Sequence, residues 1–180
     1  MATAFEAIAT VTVGSGGANT ITFNSIPNTY TDLLIYMSVR SDVNGTGSYV
    51  SARFNSTASI YQHLELYAEN PTPASSKDPN QTSSYLYTIG HCAGNTATAN
   101  TFSNNLVYIP NYAGSNNKSV SAEGQAENNS ATNGAWTVSM TAGFASLTSA
   151  ISSITFTLGS TALQNFMQYS TATLYGIKNS

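Results

Sequence analysis

The sequence predicts an all-β protein, an antiparallel and jelly-roll-like β-sandwich of about 9–11 strands. Apolar and polar residues alternate with a period of two along short runs, while helical periodicity is nearly absent. Turn-forming residues separate these runs at intervals of about 8–12 residues, which is typical of a sandwich or barrel. The 180 residues suit one domain with a two-layer core, so we expect a single β-sandwich domain over residues 1–180.

The segment Leu33 to Arg40 is the clearest predicted strand. One face carries Leu33, Ile35, Met37 and Val39, and the other carries Leu34, Tyr36, Ser38 and Arg40. Because its second face is partly apolar, this strand is expected to be central, or to meet a partner subunit.

Further runs alternate in the same way and contain the residue types that fit a pleated, half-buried surface. The predicted inward positions are Ala7, Ala9, Val11 and Val13; Ile21 and Phe23; and Val50, Ala52 and Phe54. Later strands are predicted at Tyr85 to Ile89, Asn104 to Ile109, Trp136 to Met140, Ile154 to Leu158 and Thr171 to Ile177.

Two segments interrupt this pattern. Ala68 to Ser84 contains three prolines, which predicts a long surface loop. Thr161 to Gln168 is predicted as a short helix or a loop.

Charged residues make up only 7% of the chain, against roughly 25% in an ordinary soluble domain. Little electrostatic repulsion therefore opposes the close packing of many identical subunits. The net charge is −3 and the basic residues are scattered, so we expect no nucleic-acid partner. The basic residues are Arg40, Arg53, Lys77, Lys118 and Lys178.

The single cysteine, Cys92, excludes an internal disulfide and a cysteine metal cluster. The opening residues lack the basic and apolar regions of a signal peptide, and no stretch approaches 18 apolar residues. We therefore expect synthesis in a cytosol and no membrane partner.

Four segments of the chain carry recognisable motifs. They are FEAIATVTVGSGGANTITFNSIPNTYTDLLIYMSVRS with an "IPxTYxDL" turn, VSARFNSTASIYQHLEL with an "FN…Y" stretch, LVYIPNYAG with "IPNYA", and YSTATLYGIKNS, similar to "GSTxTLYGIK". Together they resemble a group of small proteins from tailed bacteriophages. Where the group often has Gly-Asp after "FN", this chain has Ser56 and Thr57. The resemblance implies a virion component, either a capsid decoration (cement) protein or a tail-fibre or tail-tip module. It transfers no catalytic residue.

Two loops resemble ligand-binding motifs but have a simpler interpretation. Gly14 to Gly17 follows a strand, yet a second strand follows it, so a hairpin is favoured over a phosphate loop. Asp42 to Gly45 resembles the start of a calcium loop, but Arg53 occupies the twelfth position, where a bidentate carboxylate is required. We expect an ordinary turn there.

Neither a metal site nor an active site is indicated. His63, Glu65, His91 and Cys92 could form a zinc site, but His91 and Cys92 point in opposite directions in an extended segment. The acid–base pairs Glu65 with Glu69 and Glu123 with Glu127 lie in polar sequence without a signal for a perturbed pKa. We expect no enzyme, no cofactor and no bound metal.

Eleven tyrosines and one tryptophan carry most of the aromatic surface. Most such tyrosines close a sandwich core, and the remainder are expected to contact a partner protein or a glycan. The candidate contact residues are Tyr36, Tyr108, Tyr112, Trp136 and Tyr175.

We therefore expect a virion protein, made in the host bacterial cytoplasm, that binds the major capsid protein as a decoration subunit. The alternative is a tail-fibre or tail-tip module that recognises host surface glycan through Asn-rich loops at Asn111 to Asn117 and Asn128 to Asn133. In either role we expect a homo-oligomer, with a trimer favoured.

Overall fold

The computed structural model describes residues 4–69, 72–127, 136–159 and 163–178, and these form twelve strands without a helix. The strands are β1 Ala4–Thr12, β2 Thr20–Phe23, β3 Asp32–Ser38, β4 Gly47–Phe54, β5 Tyr61–Glu69, β6 Thr72–Ser83, β7 Leu86–Ala93, β8 Asn104–Ile109, β9 Lys118–Glu127, β10 Trp136–Ala145, β11 Ile154–Leu158 and β12 Thr171–Lys178. The prediction of an all-β sandwich is confirmed, although the described residues contain more strands than the expected number.

The strands form an eight-stranded sheet in the order β1-β12-β3-β8-β9-β10-β5-β6 and a four-stranded sheet in the order β2-β11-β4-β7, with antiparallel neighbours throughout. Eight of them have the connectivity of a jelly roll. When β1, β2, β3, β4, β7, β8, β11 and β12 are counted in chain order, the large sheet contains the first, eighth, third and sixth. The small sheet contains the second, seventh, fourth and fifth.

The other four strands form two hairpins inserted into this jelly roll. The β5–β6 hairpin lies between β4 and β7 in the chain, and the β9–β10 hairpin lies between β8 and β11. Both extend the large sheet on the same side, where β10 pairs with β5 over nine residue positions. The large sheet is therefore twice as wide as the small one that covers it.

The core lies between the two sheets and follows the predicted alternation. All four inward residues of the predicted strand Leu33 to Arg40 are at most 2% exposed, and so are Val50, Ala52 and Phe54. The sheets approach most closely where β7 crosses β9. There, a Cβ on Gly124 would lie 2.9 Å from the Cα of Gly90, so a larger residue at Gly124 would push the sheets apart.

The expected surface loop at Ala68 to Ser84 is wrong, because β6 occupies most of this segment. Prolines lack a backbone N–H and are confined to positions where no ladder bond is required. β6 is an edge strand with a partner on one side only, which explains how Pro73 and Pro79 are accommodated. The prolines therefore indicated a sheet edge and not a loop.

One further expectation changes, and one alternative that the sequence left open is decided. β1 has an irregularity between Ala7 and Ala9, so these residues do not share one face as the alternation predicted. In the segment Thr161 to Gln168, residues 163–168 form a turn and a bridge and not a helix, while residues 161 and 162 lie outside the described part. In the part of the chain that is described, no helix is long and apolar enough to cross a membrane.

Candidate functional site

The outward surface of the eight-stranded sheet, here called the outer face, has few charges. The cross-strand register places one residue in two of every strand on this face. Among the described strand residues, the exposed charged side chains of this face are those of Lys77, Glu123 and Glu127. A sheet of this width would ordinarily carry more charged residues on its solvent side.

One part of the outer face carries an aromatic cluster, here called the aromatic stripe. The rings of Phe5 and Tyr175 stack with centroids 4.7 Å apart, and Tyr36 meets Tyr175 edge-on at 6.0 Å. Leu106 pairs with Tyr36 across the β3–β8 ladder. Phe5 is 52% exposed and Tyr36 is 47% exposed, so the stripe offers large rings to a partner without unfolding.

A second apolar surface, here called the aliphatic stripe, lies on the inserted strands β5 and β10. Met140 pairs directly with Leu66, and Val138 and Leu64 lie beside them. These four side chains are between 42% and 63% exposed. Exposed apolar side chains are normal when scattered singly, whereas four neighbours on two paired strands form a continuous apolar patch and are a candidate interaction surface.

The polarity of β5 and β10 is inverted relative to the rest of the sheet. Three of their inward positions carry polar residues that are at most 5% exposed, namely Glu65, Ser139 and Thr141, whereas their outward positions carry the aliphatic stripe. The inward face becomes apolar only at one end of the ladder, where Tyr61 and Ala145 are buried. In a strand with one buried face, the apolar residues are expected on that face. The exposed aliphatic stripe therefore departs from this expectation.

The structure brings three of the five candidate contact residues onto the outer face. Tyr36 and Tyr175 belong to the aromatic stripe, and Tyr108 pairs with Leu34 beside them. The hydroxyl of Tyr108 donates to Asp32 at 2.8 Å, and this bond is the main cause that raises the pKa of Tyr108. Tyr108 therefore offers part of its ring and not a free hydroxyl.

The prediction for Tyr112 is wrong. Its side chain is fully buried, and its hydroxyl donates to the carbonyl of Pro27. Burial raises the pKa of Tyr112. It closes the core at the end of the sandwich and cannot contact a partner or a glycan.

Trp136 is the fifth candidate. Its backbone begins β10 and pairs with Glu127, but its side chain lies outside the described part of the structure.

Of the two Asn-rich loops, Asn128 to Asn133 lies outside the described part of the structure. The other loop is held by Lys118, whose buried ammonium donates to the carbonyls of Gly114 and Asn116. Burial lowers the pKa of Lys118.

The aliphatic stripe was missed from the sequence, although a signal was present. Leu64 and Leu66 alternate with His63, Glu65 and Tyr67, and this alternation could have been recognised as a strand. This alternation would nevertheless have assigned Leu64 and Leu66 to the core, whereas both side chains are exposed. Only the pairing of β5 with β10 shows which side is exposed.

The fold brings together only two of the four residues considered for a metal site, Glu65 and His91. His91 Nε2 lies 2.7 Å from Glu65 Oε1, and Ser76 donates to the other carboxylate oxygen at 3.0 Å. Cys92 is buried at the neighbouring position, and burial raises its pKa to about 12. Among the described residues, no three His, Cys, Asp or Glu side chains are placed to hold a metal ion.

The two glutamate pairs considered for acid–base chemistry have an unfavourable separation. Each pair is four residues apart on one strand, β5 or β9, which corresponds to about 13 Å. Glycosidase carboxylates lie roughly 5–10 Å apart. Neither pair has the spacing that this chemistry requires.

A third group of aromatic residues lies on the small sheet, beside the β5–β6 hairpin, and is called the tyrosine row. It consists of Tyr49, Tyr85 and Tyr87, with ring centroids 6.4 Å apart for Tyr49 and Tyr87 and 6.2 Å apart for Tyr85 and Tyr87. His63 meets Tyr87 edge-on at 6.1 Å, and Arg53 lies 4.0 Å above the ring of Tyr85.

Burial shifts the pKa of Tyr87 in this row and the pKa of His63, which contacts Tyr87. Desolvation is the main cause that raises the pKa of Tyr87, with a smaller contribution from its neighbours Tyr49 and Asp78. Desolvation also lowers the pKa of His63, whose Nδ1 is buried and has no hydrogen-bond partner among the described residues. His63 is therefore held in its neutral form.

Comparison with known proteins gives no independent evidence on the family or the function of this chain. No family model matches the sequence, and neither a curated protein nor a solved structure is significantly similar to it.

Proposed function

We propose that this chain is a structural protein of a bacteriophage virion, a decoration subunit that binds the outer surface of the capsid and stabilises the head. The inverted polarity of β5 and β10 is the observation that carries the assembly role. The virion context comes from the four sequence segments that resemble tailed-phage proteins, and the jelly-roll connectivity is compatible with it.

The aliphatic stripe is the surface that we assign to contacts between copies of the chain. Interfaces within homo-oligomers are more apolar than those between proteins that associate transiently. Leu64, Leu66, Val138 and Met140 form such a surface, and no exposed charged side chain of a described strand residue on β5 or β10 shares the outer face with them. We assign the aromatic stripe, which includes Tyr36 and Tyr175, to contacts with the capsid protein.

The magnitude of this burial favours a repeated assembly over an isolated pair. Complete burial of a large aliphatic side chain contributes about 1.5–3 kcal/mol, and these four are roughly half buried already. The stripe then contributes about 3–6 kcal/mol per copy, which is comparable with the cost of association. Several such contacts, joined in a trimer on a capsid lattice, would hold together through multivalency.

Sedimentation equilibrium of the purified chain and quantitative mass spectrometry of particles test this proposal. We expect the wild-type chain to form oligomers, and the double variant Leu66→Ser with Met140→Ser to associate at least about tenfold more weakly. The control is Leu163→Ser, because Leu163 is 83% exposed and lies outside both stripes. Particles should carry tens to hundreds of copies of the wild-type chain.

A few copies per particle, or equal association of the double variant and the wild type, would contradict the decoration role. The first outcome would favour the alternative, a tail-fibre or tail-tip module. The observation that supports this alternative is the tyrosine row, whose ring faces and hydroxyls lie on a different surface from both stripes.

A further inference from the structure

The tyrosines of this chain divide into two groups according to their hydroxyls. Four of them donate to a described acceptor: Tyr30 to Glu6, Tyr61 to Thr57, Tyr108 to Asp32 and Tyr112 to Pro27. These hydrogen bonds fix loops and strand ends, which is the structural use of a tyrosine in a sandwich.

The tyrosine row belongs to the second group. Tyr49, Tyr85 and Tyr87 are partly exposed, and within the described ranges their hydroxyls have no hydrogen-bond partner. In contrast to the first group, these hydroxyls do not fix a loop or a strand end. Three clustered rings with free hydroxyls are instead suited to a ligand that has both apolar faces and polar edges.

The rings of the row do not form one parallel stack. Tyr49 and His63 each meet Tyr87 at an interplanar angle of 85°, whereas Tyr85 is tilted from Tyr87 by 37° and carries Arg53 over one of its faces. The partly exposed surface of the row combines ring carbon atoms with hydroxyls, which suits a pyranose ring with C–H groups on its faces and hydroxyls at its edges.

Donors and acceptors of both kinds border the row. Arg53 donates its Nε to the carbonyl of Ser84 at 2.9 Å and holds its guanidinium over Tyr85. Asp78, which pairs with His63 across the β5–β6 ladder, is close enough to Tyr87 for its negative charge to raise the pKa of Tyr87, whereas the positive charge of Arg53 lowers it. One positive and one negative group give the border no surplus of positive charge, and a polyanion would gain little there.

We propose that the tyrosine row, with Arg53 and Asp78 at its border, is a binding site for a neutral, hydroxyl-rich glycan. Sugar rings pack on Tyr49 and Tyr85, and the free hydroxyl of Tyr87 takes part in hydrogen bonds to the sugar. This site lies on the small sheet and beside the β5–β6 hairpin, away from the two stripes of the outer face. It is therefore independent of the assembly role.

Affinity electrophoresis and calorimetry on the purified chain test this proposal directly. The neutral probes are polymers and oligosaccharides of glucose, mannose and galactose, and the anionic probe is alginate. We expect wild-type protein to bind at least one neutral probe, and Tyr49→Ala and Tyr85→Ala to weaken that binding at least about tenfold. Tyr87→Phe, which removes only the hydroxyl, should weaken it by about two- to tenfold.

Tyr169→Ala is the matched control, because Tyr169 is 68% exposed and does not belong to the row. Its binding should stay within about twofold of the wild type. Circular dichroism and thermal unfolding of each variant separate lost binding from lost structure. Absence of binding to every neutral probe would overturn the proposal, as would binding to alginate alone or an equal loss in Tyr169→Ala.

Discussion

The jelly-roll half of the eight-stranded sheet and the strands β5 and β10 of its added half distribute their apolar residues differently. In the jelly-roll half, β1, β12, β3 and β8, apolar residues such as Ile35 and Leu174 point inward and are fully buried under the small sheet. In the added half, β5 and β10 bury Glu65 and Thr141 and expose Leu66 and Met140. The difference shows that the first half buries its apolar side chains between the sheets, whereas β5 and β10 leave apolar side chains on the solvent side of the sheet.

Matched leucine truncations give the strongest test of this comparison. Leu33 of β3 is fully buried and Leu66 of β5 is 60% exposed. We expect Leu33→Ala to lower the free energy of unfolding by about 2–5 kcal/mol, because it leaves a cavity in the core. Leu66→Ala should lower it by less than about 1 kcal/mol in the isolated chain. Urea denaturation monitored by circular dichroism gives both values, and equal losses would abolish the distinction between the halves.

Thiol reactivity separates the core from the aliphatic stripe by a different measurement. Cys92 is fully buried, and burial raises its pKa to about 12, so the reactive thiolate is scarce. With a thiol reagent at pH 8, we expect native Cys92 to react at least about a hundredfold more slowly than in urea. At a dilution at which the chain is monomeric, the variant Leu66→Cys in a Cys92→Ala background should react without unfolding. Rapid labelling of native Cys92 would show that the core opens readily.

The polar interior of the added half can be tested with two glutamates. Glu65→Ala removes the partner of His91 and Ser76 in a site where Glu65 is 2% exposed. We expect this change to cost about 1–3 kcal/mol of unfolding free energy, because the remaining groups lose their acceptor. Glu123→Ala on the outer face is the control and should stay within about 0.5 kcal/mol of the wild type. A negligible effect of Glu65→Ala would mean that water replaces the carboxylate.

The smallest expected effect is a pH dependence that comes from His63. Burial lowers the pKa of His63 in the folded state, so the unfolded chain binds the proton more readily. Stability from this residue is present above the unfolded pKa of about 6.5 and is lost as the pH falls below it. Between pH 7 and pH 5, the urea midpoint of the wild type should therefore fall further than that of His63→Asn. Parallel midpoint curves would show that His63 protonates freely in the folded chain.

The sequence predicted the jelly-roll half well and the added half poorly, for a physical reason. Strands with an ordinary buried face, such as β8 and β11, have the predicted bounds Asn104 to Ile109 and Ile154 to Leu158. β9 was missed because its inward residues include Ala122 and Gly124, which are too small to give a strong alternation. Small residues are needed there because β7 crosses closely above.

The candidate contact residues show the same limit. Alternation placed Tyr36 on an outward position correctly, since its neighbours Ile35 and Met37 are buried. Nothing local distinguishes it from Tyr112, because the burial of Tyr112 depends on the distant carbonyl of Pro27. The tyrosine row likewise joins Tyr49 of β4 with Tyr87 of β7 and with Tyr85 directly before β7, so its members are brought together only by the pairing of β4 with β7.

The pairing of β1 with β12 also has a mechanical consequence. Ala4 lies opposite Lys178, so the two ends of the described chain leave the sheet at the same corner. A force that pulls these ends apart would load and break the hydrogen bonds of the β1–β12 ladder one after another, starting at the pair Ala4 and Lys178. A force transmitted across the broad faces of the sandwich would load many side-chain contacts at once. We therefore expect the folded domain to bear load through its faces and to peel easily when it is pulled by its ends.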